Sequence, residues 1–328
     1  MSEARTNVHT SLGAELKSAS LDLQLPPARP IMSSFASSRR GALSALLVTI
    51  LIWAYSWIVM KQVLAHAGPL DFAALRYLVG AAVLFAVMLL GRQSLQPPPL
   101  LPTVVIGLCQ TAAFQGLEQL ALLGGGAGHV ALLAYTMPFW AVLLAWLFLG
   151  DKPTARHWQG LSLAALGLVC IIEPWHAMGS LVSTTLAIAG GTAWAAGTVL
   201  SKRLFRQQSV SVLGLTAWQM LIGGAALGVV ALAVPQRPLD WDWPFIGALA
   251  YSAVLASSLA WWLWAIVLRR LSTTMASVSS LGVPIVGVLL AWLILHEQPS
   301  AMEGVGIVLV LLGLVAISTA PRAGPRRL

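Results

Sequence analysis

Ten stretches of about 20 apolar residues follow one another along the sequence, and no other feature constrains the fold as much. Their approximate limits are 42–63, 70–91, 100–122, 127–149, 157–175, 183–201, 212–234, 244–268, 274–296 and 301–319. A helix of this length crosses a bilayer core about 30 Å thick, and a helix satisfies its own backbone hydrogen bonds where no water can. Of the 328 residues, 58% are hydrophobic and 9% are charged, with a mean hydropathy of +0.83. That leaves too little polar surface to cover a water-soluble globule. The sequence predicts an all-α multi-pass membrane protein with ten transmembrane helices joined by short connectors.

Residues 1–41 are rich in Ser, Ala and Pro and read as a disordered tail, because such a composition cannot bury enough apolar area to order itself. No charged, apolar and small-residue cleavage pattern precedes Ser33, so the tail is not read as a secretory signal. Residues 320–328 form a short basic tail. The two cysteines, Cys109 and Cys170, fall inside apolar runs without metal or redox spacing and read as small buried hydrophobes.

A net charge of +8 raises the question of nucleic acid, but the placement of the charges argues against it. Arg39, Arg40, Arg92, Lys152, Arg156, Lys202, Arg203, Arg206, Arg269, Arg270, Arg322, Arg326 and Arg327 gather at alternate ends of the runs, while the other connectors carry almost none apart from Arg237. This is the positive-inside bias, and it predicts that both termini are cytoplasmic.

The chain also repeats itself. Residues 138–169 align without a gap on residues 284–315 with sixteen identities in thirty-two positions, including Pro138 with Pro284, Trp146 with Trp292, Pro153 with Pro299, Gly160 with Gly306 and Gly167 with Gly313. A weaker echo sets Trp53, Ala54 and Lys61 against Trp194, Ala195 and Lys202. The repeated unit is five spans long. Since five is odd, the second copy enters the membrane from the opposite side, and the expectation is two inverted five-helix repeats that rock about a site near the midplane.

Few ionisable groups lie within the runs: Lys61, Arg76, Glu118 and His129 are the ones to follow, because such groups are costly in lipid. Glu118 is a candidate holder of a substrate ammonium or a coupled proton, with Arg76 as its ion partner or as a carboxylate binder; Lys61 and Arg76 also stand close enough to span ends to reach the headgroups. Candidate cavity residues are Trp53, Tyr55, Trp57, Arg76, Gln110, Glu118, Tyr135, Trp194, Gln219 and Ser252. Trp53 and Trp57 share a helix face and read either as a cation-attracting wall or as lipid-facing packing. Pro138 and Pro284 are hinge candidates, expected to free the carbonyls of Ala134 and Ser280, with Thr136, Ser279 and Ser280 near enough to help. Gly224 and Gly228 make a G-x-x-x-G spacing that suits a dimer or packing within the chain. No nucleotide-binding glycine loop, HExxH pair or serine elbow is present, so no cofactor, metal or catalytic residue is expected.

Several stretches resemble the EamA-type transporters of the drug/metabolite transporter superfamily: "WAYSWIVMK", "PLDFAALRYLVGAAVLF", "AGHVALLAYTMPFWAVLLAWLFLGDKP" and "SSLGVPIVGVLLAWLILHEQPSAMEGVGIVLVLLGLVAIS". The resemblance spans roughly residues 42–319, as one repeat over 42–175 and a second over 183–319. On it, Arg76 matches the family's second-span arginine, and Pro138 and Pro284 match its helix prolines. Asp151 stands where the family usually has Glu, Glu297 keeps that acid, and the preceding Gly is Gly150 in one half but His296 in the other. The resemblance implies a central cavity between spans one to four and six to nine. It also implies export of amino acids, other small metabolites or drugs across a bacterial inner membrane, by facilitated flow or proton exchange. The expected partners are a small-molecule substrate and membrane lipid, in a monomer or weak dimer with no nucleic acid. An importer, a nucleotide-sugar-type carrier, a lipid-acting enzyme and a scaffold are the competing readings.

Overall fold

In a computed structural model the described residues are 39–124, 127–172, 180–295 and 300–319. Among them every regular element is helical. They are α1 (Arg39–Val63), α2 (Pro69–Leu90), α3 (Leu100–Ile106), a π-helical segment (Gly107–Ala113), α4 (Phe114–Gly124), α5 (Ala127–Ala134), α6 (Met137–Leu149), α7 (Ala155–Ile172) and α8 (Leu181–Gln207). Then come α9 (Val212–Ala233), α10 (Trp243–Ala250), a second π-helical segment (Tyr251–Leu259), α11 (Ala260–Arg270), α12 (Thr273–Ser279), α13 (Gly282–Leu295) and α14 (Ala301–Ser318). Five stretches among the described residues are continuous, long and apolar enough to cross a bilayer: 40–60, 69–90, 100–124, 212–233 and 243–270.

Local chemistry sets the ends. Ser180, Ser211, Ser272 and Asp242 each precede a helix, and their side chains accept from the backbone N–H three residues on, at 3.1, 3.2, 3.2 and 2.9 Å. Such caps satisfy donors that a helix start leaves without partners. Pro69 opens α2, where its missing N–H costs nothing. Gly150 closes α6 with a φ of 70°, the left-handed conformation that glycine adopts without strain.

The two proline helices break rather than bend. Pro138 sits in the first turn of α6 and Pro284 in the first turn of α13, so each proline starts a helix instead of interrupting one. The expectation that Ser280 loses its carbonyl partner is corrected here: the Val283 N–H donates to it at 2.9 Å, because the chain tightens into a short turn before restarting. The hydroxyls of Thr136 and Ser280 each donate to the carbonyl three residues back, at 2.6 Å, which also accepts the N–H of the same residue, so neither hydroxyl reaches the Ala134 or Ser280 carbonyl. The Ala134 carbonyl lies over Gly191 of α8, where a β-carbon would stand 3.0 Å away.

Glycines bring backbones together elsewhere too. Gly160 of α7 lies against the Gly313 carbonyl of α14, and Gly167 against that of Gly306, at 2.7 and 2.6 Å from where a β-carbon would stand. Since one number rises as the other falls, α7 and α14 run antiparallel. Gly224 of α9 packs against Tyr77 and Leu78 of α2, so the G-x-x-x-G stretch is used within the chain. The principal core gathers side chains from α1, α2, α4, α6, α8, α9, α11 and α12, with aromatic residues at its centre.

Candidate functional site

Trp53 is the hub of that aromatic centre. Its ring centroid lies 5.6 Å from Trp194, 5.2 Å from Trp261 and 5.7 Å from Trp264, in edge or tilted contact, and its Nε1 donates to the Ala256 carbonyl at 3.1 Å. Phe114 stacks on Trp194 at 4.8 Å. Offset and edge-to-face contacts of this kind are the geometries that aromatic quadrupoles favour. Trp57, one turn beyond Trp53, donates from Nε1 to the Tyr135 hydroxyl at 3.3 Å. Trp53 and Trp57 therefore face the interior, which removes the lipid-facing alternative for that helix face.

Against these rings lies a small, partly open cavity of about 40 Å³. Trp53, Trp57, Arg76, Glu118, Tyr135 and Trp194 line it, together with Ser56, Met60, Phe114, Gln115 and Trp261. The wall is thus largely aromatic, with one guanidinium and one carboxyl.

Arg76 is 2% exposed. Its Nε donates to the Ser257 hydroxyl at 3.1 Å, and its guanidinium carbon stands 5.0 Å from the Tyr77 ring and 5.9 Å from the Phe72 ring. These contacts hold the side chain in place by one hydrogen bond and two cation–π approaches, yet Nη1 is buried without a hydrogen-bond partner. Ser257 belongs to the second π-helical segment, a kind of distortion found often beside functional sites. The aperiodic turn there lets a hydroxyl reach Arg76.

Glu118 is 4% exposed, and among the described residues neither of its carboxyl oxygens has a hydrogen-bond partner. Its side chain lies over Gly190 of α8, where a β-carbon would stand 2.7 Å from Oε1. Arg76 and Glu118 line the same cavity without forming an ion pair among the described residues. The expectation of an Arg76–Glu118 pair is therefore corrected: Ser257 and the two rings occupy Arg76 instead. Trp194 Nε1 is a third buried cavity group without a partner. A buried polar atom left unsatisfied costs about 1–3 kcal/mol, and these three groups are the cavity's polar atoms open to a further partner.

The other candidates lie elsewhere. Tyr55 is exposed, edge-on to Tyr251 at 5.2 Å, while Tyr251 donates to the Ile52 carbonyl at 2.7 Å. Gln110 bridges the first π-helical segment to α8, donating to Thr198 at 3.4 Å and accepting from Ser201 at 3.5 Å. Gln219 is buried, with its backbone pressed on Gly107, and Ser252 is fully buried with an unpartnered hydroxyl. None of these four lines the cavity. Trp218 donates to the Leu95 carbonyl at 3.1 Å, in the connector between α2 and α3. Cys109 and Cys170 are free thiols, half-buried. The side chains of Lys61 and His129, and Glu297 and His296 altogether, lie outside the described residues.

Sequence reasoning missed Met60, Phe114 and Trp261 as cavity residues. Trp261 and Trp264 stand three apart on one helix face, which is the signal that could have found them. No group of three or more His, Cys, Asp and Glu residues able to hold a metal occurs among the described residues.

The sequence profile of the EamA-like transporter family matches residues 40–173 and again residues 182–319. A probable amino-acid metabolite efflux pump of Salmonella typhimurium is 27% identical over 293 residues, covering 84% of this chain and 94% of that one. The uncharacterized transporter YoaV of Bacillus subtilis is 25% identical over 272 residues, covering 80% and 92%. One crystal structure, 20% identical, superposes with a TM-score of 0.74 over 86% of this chain and 97% of its own. The chain is a multi-pass membrane transporter belonging to the EamA-like transporter family of the drug/metabolite transporter superfamily.

Proposed function

We propose that this transporter exports small zwitterionic organic solutes, amino acids among them, across a bacterial inner membrane by alternating access. The observation that carries the reading is the cavity in which Arg76 and Glu118 each present an unpartnered buried polar atom beside an aromatic wall. A substrate carboxylate suits the free Nη1 of Arg76, because charge-assisted contacts to a guanidinium are strong when water is excluded. A substrate ammonium suits Glu118 with the Trp and Tyr faces around it, and an apolar side chain fits the same wall. A nucleotide sugar needs several cationic groups for its phosphates, and the cavity offers one guanidinium opposed by a carboxyl.

In this reading the chain crosses the membrane ten times as two inverted five-helix repeats with both termini in the cytoplasm. The antiparallel pass of α7 and α14 supports it. Gly160 and Gly306 are equivalent in sequence, as are Gly167 and Gly313, yet Gly160 meets Gly313 and Gly167 meets Gly306, as a two-fold axis lying between the helices would require. The clustering of Lys and Arg at alternate connectors supports the orientation. The relatives named as efflux pumps favour export.

The test is counterflow in proteoliposomes with radiolabelled amino acids, their decarboxylated amines and their N-acetylated acids, with and without a proton gradient. The expected result is exchange of the zwitterions over both singly charged analogues. Preference for a nucleotide sugar, or no exchange of any small solute, would refute the reading.

A further inference from the structure

A second cavity, of about 240 Å³, lies between α6 and α8. Among the described residues it is lined by Leu144 and Phe148 of α6 and by Ala196, Val199, Leu200 and Arg203 of α8. The two on α6 are one turn apart, and the four on α8 follow the three- and four-residue spacing that keeps side chains on one helix face. From Ala196 to Arg203 that face is about 10 Å long. Beyond it Arg206 of α8 and Asp151, just past the end of α6, form a bidentate pair at 3.0 and 2.7 Å. The pair ties the two helix ends together, so α6 and α8 run side by side toward one end of the bundle, and Arg203 stands at that end of the groove.

The walls are apolar except for Arg203. Its side chain is exposed, and among the described residues it has no hydrogen-bond or ion-pair partner. Asp151, the acid at this end of α6, is already taken by Arg206, and the next connector residue is the exposed Lys152. The rim is therefore cationic. Arg203 belongs to the set of Lys and Arg residues gathered at alternate connectors, which puts it at headgroup level in the orientation proposed above. Leu143, Leu147 and Phe148 of α6 are exposed, as on a helix that meets lipid. The groove shares no lining residue with the aromatic cavity.

Water does not fill such a space, because a trapped water needs about two to four polar partners and this wall offers one polar side chain. A zwitterionic solute finds a partner for its carboxylate and none for its ammonium. A hydrocarbon chain fits the wall, and a phosphate fits the guanidinium. We infer that the groove holds an anionic phospholipid, with one acyl chain along α6 and α8 and the phosphate on Arg203. Apolar walls do not by themselves select one lipid tail over another, since the surrounding tails are equally apolar. The headgroup charge decides which lipid stays. The ammonium of a phosphatidylcholine meets Arg203 and Lys152 with Asp151 already paired, whereas a phosphatidylglycerol brings no positive charge to this rim.

The experiment uses the full chain, delipidated in detergent, and native mass spectrometry with added phosphatidylglycerol or phosphatidylcholine and no transported solute. One phosphatidylglycerol per chain is expected to stay bound under conditions where phosphatidylcholine is lost. Arg203→Gln is expected to weaken that binding about tenfold, the loss of one charge-assisted contact, and Arg203→Lys weakens it by less. Ala196→Leu fills the groove while leaving the guanidinium, and it weakens the binding too. Arg92→Gln removes a charge of the same basic set away from the groove and leaves the binding unchanged.

Equal retention of the two lipids, or equal losses in Arg203→Gln and Arg92→Gln, would overturn the site in favour of diffuse surface charge. Displacement of the phosphatidylglycerol by inorganic phosphate would make Arg203 a free-anion site instead. Unchanged binding in Ala196→Leu would place the lipid outside the groove. A chain that holds no lipid but pairs with a second copy, and stops pairing in Ala196→Leu, would give the groove to a protein contact. If Ala196→Leu does not fold, Arg203→Gln, at an exposed position, still decides. Because no solute is present, failure of the export reading leaves this result standing, and absence of bound lipid leaves the export reading untouched.

Discussion

Gly167 and Gly306 lie backbone to backbone, a β-carbon on Gly167 standing 2.6 Å from the Gly306 carbonyl oxygen. With Gly160 and Gly313 they bring α7 and α14 close enough that no side chain fits between them. Gly167→Leu is expected to force the helices apart, destabilising the fold by about 1–3 kcal/mol. A lower thermal midpoint in detergent checks this, and Gly287→Leu, at a site where a β-carbon meets nothing, serves as the neutral control.

Glu118→Gln keeps the shape of the cavity and removes the carboxyl that can gain or lose a proton. Transport of a zwitterion is expected to fall by about tenfold or more, the loss of one charge-assisted contact. Any dependence of transport on the proton gradient should flatten with it. Rates in proteoliposomes between pH 5.5 and 8.5 measure both; an unchanged rate and an unchanged profile would remove Glu118 from the site.

Arg76→Lys preserves a positive charge but not the fork that bonds Ser257 while leaving Nη1 free. An ammonium at this position satisfies one of the two tasks and not the other. The expected result is a rise in KM for zwitterions of about tenfold, with little change for amines that carry no carboxylate. Equal losses for both substrates would argue against a carboxylate at Arg76.

Gly190→Ala places a methyl group 2.7 Å from the Glu118 Oε1 position. The carboxyl must swing away, and transport should fall while the thermal midpoint stays within about 1 kcal/mol of the wild type in stability. A loss of folded protein instead would make Gly190 a packing residue alone.

The helices were legible from apolar run lengths because lipid leaves the backbone no other option, and caps such as Ser180, Ser211 and Asp242 set starts that the runs already suggested. Arg76, Glu118 and Trp53 were legible because charge and aromatic bulk inside an apolar run need a reason. Tyr55, Gln110, Gln219 and Ser252 were polar for other reasons. A single span tells a residue's depth but not its azimuth, and Tyr55 points to the outside while Ser56 beside it lines the cavity. The π-helical segments were hidden altogether. A π turn inserts a residue without any required side chain, so Gly107–Ala113 and Tyr251–Leu259 leave no mark in composition, yet the second sets the angle at which Ser257 meets Arg76.

The meeting of Trp53 with Trp194, Trp261, Trp264 and Phe114 draws rings from both halves of the chain into one dry seal. Because the rings come from both repeats, neither half can shift against the other without reshaping the surface that a solute in the cavity would touch.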